Sequence, residues 1–60
     1  MAMYGVFDKA GEQLKKGRFE MEFESIFEAK CFRARYVERV DGRRESDYDV
    51  LNLDTMETVA

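Results

Sequence analysis

Residues 25–42 read SIFEAKCFRARYVERVDG, and the reading of this stretch decides the fold. Ser25 followed three residues later by Glu28 is the pattern of a capping box, in which each side chain satisfies the other's unpaired backbone N–H at the start of a helix. Gly42 closes the run with a residue that takes the left-handed conformation at a helix end. The spacing predicts one helix from Ile26 to about Val40. It begins acidic and ends basic, with Lys30, Arg33, Arg35 and Arg39 in its second half.

Strand patterns flank the helix. Met3 to Phe7 is short and apolar or aromatic, and Asp8-Lys9-Ala10-Gly11 places aspartate first and glycine fourth, as a turn between two strands prefers. A second strand is expected from about Glu12, clearest where Phe19, Met21 and Phe23 alternate with Glu20, Glu22 and Glu24. Leu14 breaks that parity, which predicts a bulge or an extra turn at Lys16-Gly17. After the helix, a looser segment from Asp41 to Asp47 leads into a strand over Tyr48–Leu53. Asp54-Thr55-Met56-Glu57 then reads as a tight turn, with Thr58 and Val59 opening a last short strand. The expected fold is α+β, a single domain over residues 1–60 in ββαβ or ββαββ order. One amphipathic helix packs on one face of an antiparallel sheet.

Two sides of the helix are apolar. At 100° per residue, Ile26, Phe27, Ala34 and Val37 share a face with Cys31 at its edge, and this face is expected to cover the sheet. Ala29, Phe32 and Tyr36 form a second group. Either they flank a broad buried face or they meet a second copy or another protein.

A chain of 60 residues buries only about 60% of its unfolded surface, so small domains often need a disulfide, a metal or a partner subunit. One cysteine permits no internal disulfide, and the absence of histidine removes the common zinc patterns. A homo-oligomer, most simply a homodimer, is the helper left, and no cofactor or metal is expected. The 45% apolar content is too high for a disordered chain. No apolar run approaches the ~20 residues of a membrane span, and the opening MAMYGVFDKAG has no signal-peptide pattern. With a free thiol, these features place the chain in the cytoplasm.

Catalytic arrangements are scarce. Without histidine there is no Ser-His or Cys-His pair, and no phosphate-binding glycine motif occurs. Cys31, in mid-helix, is expected to be a small buried hydrophobe. Paired carboxylates such as Asp47 with Asp49 suit a solvated strand face better than a cation site, and an enzyme is not expected. The acidic residues could also imitate a nucleic-acid backbone, although a net charge of −3 is weak for that role.

That small net charge hides a segregation. Residues 1–29 carry −2, residues 30–44 carry +4 and residues 45–60 carry −5, so the chain is dipolar. The basic segment KCFRARYVERVDGRR is the candidate binding surface, with Phe32 and Tyr36 as anchors and Arg35, Arg39, Arg43 and Arg44 as charge selectors. Glu45, Asp47 and Asp49 could instead fold back and neutralise it. In size, acidity and ββαβ order the chain is similar to the small host-takeover and anti-defence proteins encoded by phages. That likeness is one of architecture and carries no residue over.

The function expected is a non-enzymatic, homodimeric protein-binding module that modulates or inhibits a partner with an acidic surface. On this reading Tyr36→Ala weakens binding or dimerisation without unfolding the chain. The alternative is a small RNA- or nucleotide-binding domain using the basic helix end.

Overall fold

Two five-residue strands rich in aromatic and β-branched residues carry the sheet. β1 (Tyr4–Asp8) and β4 (Tyr48–Asn52) pair antiparallel with Val6 opposite Val50. Between them lie β2 (Lys15–Lys16), β3 (Phe19–Glu20) and the single helix α1 (Ile26–Arg39), and a 3-10 turn at Glu45–Asp47 feeds β4. The structure is a computed structural model and describes residues 2–40 and 42–60. Asp41, expected to open the loop after the helix, and Met1, at the head of the leader reading, lie outside the described residues. The architecture is a small α+β domain in roughly the expected ββαβ order, with the second strand divided into the small β2–β3 hairpin beside one helix and an antiparallel pair.

The turns form where the local chemistry asks for them. The Asp8 carboxylate accepts from the N–H groups of Ala10 and Glu12 at 3.0 and 2.9 Å, and Gly11 takes φ 87° to close a three-residue loop. The extra turn expected at Lys16-Gly17 is real. Lys16 pairs with Phe19, so Gly17 and Arg18 alone make the β2–β3 turn, with Gly17 at φ 66°. The hairpin turns back before residues 19–23 can run along the sheet. Phe19, expected to be half-buried, is therefore 78% exposed near the hairpin tip. The arm rejoins β1 at the Tyr4–Phe23 bridge. At the other edge, Thr58 bridges Leu51 and Val59 N–H donates to Val50 O at 2.8 Å. The expected last strand is thus a single bridge.

The helix start behaves as expected in one half of the capping box. Ser25 Oγ accepts from Glu28 N–H at 3.1 Å, while no return bond from the Glu28 carboxylate forms among the described residues. The helix ends at an extended Val40, two residues before Gly42, which takes φ 80°.

Of the face its spacing predicts, α1 turns Val37 to the core, but it is the second apolar group, Ala29, Phe32 and Tyr36, that faces the sheet. Ala29, with no exposed surface, sits in the core with Val6, Leu14, Tyr48 and Val50, and Phe32, Tyr36 and Val37 pack around them. Phe27 is 75% exposed and Cys31 is exposed as well, so its expected burial is corrected. The reason is apolar area. Turning Phe32 and Tyr36 inward lets their rings meet Phe23 and Tyr48 at centroid distances of 5.2 and 5.3 Å. Burial of two aromatics outweighs burial of Phe27 with Cys31 and Ala34. This also places Arg33 inside, where its Nη1 donates to Tyr48 O at 3.3 Å and its Nε lies 4.0 Å from Glu45.

Gly5 is needed for space. A Cβ there would lie 2.7 Å from Gln13 Nε2, which donates to Met21 O at 3.0 Å and ties the two sides of the hairpin together. Gly5→Ala should lower stability by about 1–2 kcal/mol, and Gln13→Ala should remove roughly half of that penalty in the double variant; urea midpoints check both. Burial pushes the Tyr48 phenol above its ordinary value of 10.0, the nearby Tyr36 adds to the rise, and the Arg43 charge opposes it. The folded state then holds this proton more tightly than the unfolded one. Its contribution is full below the unfolded value and declines as pH rises through the folded one. Urea midpoints should fall more steeply above about pH 10 in the wild type than in Tyr48→Phe.

Candidate binding groove

The β2–β3 hairpin stands beside α1, and a groove of about 450 Å³ runs between them. Its floor is Met21, Phe32 and Tyr36, and its rim is Lys15 and Lys16 from the hairpin with Arg35 and Arg39 from the helix. The local reasons are separable. Arg35 and Arg39 are one helical turn apart on the flank next to the buried face, so both reach the same side. Lys15 and Lys16 reach it because the Gly17-Arg18 turn folds β2 back on β3.

The structure therefore brings together four of the six residues predicted from sequence, Phe32, Tyr36, Arg35 and Arg39, and separates the other two. Arg43 and Arg44 are exposed in the loop before β4 and do not line the groove. Arg44 N–H donates to the Asp47 carboxylate at 2.8 Å, which holds the 3-10 turn. Sequence reasoning missed Lys15 and Lys16. They stand fifteen and fourteen positions before the first residue of the basic segment, Lys30, and only the hairpin turn, itself legible at Gly17, carries them to it.

The acidic C-terminal segment does not neutralise this groove among the described residues. Asp49 pairs with Lys9 at 3.1 Å, Glu45 approaches Arg33, and Asp47 is taken by the loop. Lys15, Lys16, Arg35 and Arg39 make no ion pair among the described residues, although β2–β3 pairing sets Glu20 opposite Lys15. Four cations thus stand beside an apolar floor.

Phe32 and Tyr36 have a double role. Their rings are 6.1 Å apart, and each also packs inward, Phe32 on Phe23 and Tyr36 edge-on to Tyr48. Both are half-buried, so each ring is shared between the core and the groove. The expectation that Tyr36→Ala spares the fold is revised accordingly. Among the described residues no three cysteine or carboxylate side chains converge as metal ligands, and no helix is long and apolar enough to cross a membrane.

Tyr36→Ala should cost about 2–4 kcal/mol, comparable with the whole stability of a domain this small, whereas Tyr36→Phe should stay within about 1 kcal/mol because the ring contacts survive. Denaturant unfolding of the two variants checks this, and equal losses would show that the hydroxyl carries the contact. Comparison of the chain with protein-family models, curated proteins and solved structures gives no match.

Proposed function

We propose that this chain is a non-enzymatic, cytoplasmic protein-binding module, homodimeric, that modulates or inhibits a partner by gripping one of its acidic segments in the groove between the hairpin and α1. The observation that carries this reading is the set of four cations, Lys15, Lys16, Arg35 and Arg39, around the Met21–Phe32–Tyr36 floor. Planar guanidinium forks suit carboxylates, and an apolar floor takes the aliphatic or aromatic residue beside them. The floor supplies affinity through desolvation, and the rim supplies selectivity and rate of encounter.

An acidic protein segment is favoured over a nucleic acid by the field of the whole chain. At −3 net, with −5 in residues 45–60, a long polyanion would meet repulsion beyond the groove, whereas a short acidic segment would not. The second reading, a small RNA or nucleotide binder, draws support from the two lysines that the hairpin adds beside the aromatic edges.

The test is native mass spectrometry of tagged protein captured from its host's lysate, run beside Lys16→Glu/Arg39→Glu. A defined host protein that stays with the wild type should be lost from the double variant, with affinity down by about tenfold or more. A protein retained equally by both would overturn the groove assignment. Co-purifying RNA or nucleotide whose binding falls steeply with salt would replace this reading with the second.

A further inference from the structure

Because α1 turns its aromatic side inward, it leaves an apolar stripe facing away from the sheet. Phe27, Cys31 and Ala34, with the charged Glu38 ending the row, follow one another at spacings of four, three and four residues, the rhythm of a helix that meets another helix. Phe27 heads the stripe at 75% exposure. Cys31 and Ala34 behind it are small and leave a hollow of the kind that a large side chain fills.

We infer that a second copy of this chain covers this stripe, with the two α1 helices antiparallel. Charge selects both the occupant and the direction. Glu28 and Arg35 lie seven residues apart on the same flank of the stripe, and neither makes an ion pair within its own chain among the described residues. An antiparallel pair places Glu28 against the partner's Arg35, and the two-fold axis repeats the contact, giving two ion pairs from one spacing. A parallel pair would bring this flank against the opposite flank of the partner, setting Lys30 beside the partner's Arg35, a like-charge contact, and leaving Glu28 without an opposite charge. The same register brings Phe27 into the hollow over the partner's Ala34, next to the stem of the partner's Glu38, and brings Cys31 close to the two-fold axis.

This inference gives the homodimer of the proposed function an interface other than Phe32 and Tyr36, which pack against their own core. Phe27 and Glu28 do not line the groove, whereas Arg35 borders both surfaces, so Phe27 separates this interface from the identity of the groove's ligand.

The test is sedimentation equilibrium of the full chain in five forms: wild type, Phe27→Asp, Glu28→Arg, Arg35→Glu and the double reversal Glu28→Arg/Arg35→Glu. Far-ultraviolet circular dichroism confirms that each is folded. The wild type should dimerise and Phe27→Asp should be monomeric with an unchanged helix signal, as its side chain is already exposed. Each single reversal should weaken the dimer by about tenfold, and the double reversal should restore it to within about threefold. A monomeric wild type at millimolar concentration, or a dimer indifferent to Phe27→Asp, would overturn the interface. A double reversal no tighter than the singles would overturn the antiparallel register. Should the charge variants misfold, the wild type and Phe27→Asp alone still decide the interface, and neither result bears on capture by the Lys16 and Arg39 pair.

Discussion

The contact on which the rest of the structure depends is the seating of Ala29 on the β1–β4 pair. With no exposed surface and a single methyl group, Ala29 allows α1 to lie close over Val6 and Val50. Close approach brings the next two turns of the helix down as well. Phe32 then meets Phe23 and Tyr36 meets Tyr48. A larger residue at position 29 would lift the helix, and the aromatic contacts, which supply much of the apolar burial in so short a chain, would open.

That seating also distributes the charges. Once Phe32 and Tyr36 face inward, Arg33 is carried with them and is held by the Tyr48 carbonyl, with Glu45 near its Nε. Arg35 and Arg39 are carried to the flank, beside the hairpin with its two lysines. One rotation of the helix about its axis thus sorts the arginines into a half-buried anchor and a surface pair. The acidic side chains near the sheet are engaged locally, at the Asp8 turn, the Lys9–Asp49 pair and the loop before β4.

The secondary structure was legible because its determinants are local. Ser25 marks the helix start through one hydrogen bond, Asp8 and Gly11 specify a turn through torsions and side-chain bonds, and Gly17 supplies the positive φ that the hairpin needs. The alternation through Phe19 to Phe23 was legible too, but it pointed to a longer strand than forms. Alternation records which residues can lie on one face. It does not record whether a neighbouring strand is there to pair with them.

The sequence by itself determined the helix, the turns, the α+β class and a dipolar charge pattern, since each depends on residues within a few positions of one another. Only the tertiary structure decided which side of α1 is buried. Both sides carry enough apolar residues, and the choice rests on ring contacts with Phe23 and Tyr48, the second of them twelve positions away in sequence. It also decided the membership of the groove, because Lys15 and Lys16 join Arg35 and Arg39 through the packing of a hairpin against a helix. Burial and convergence are properties of distant surfaces brought together, and no local pattern encodes them.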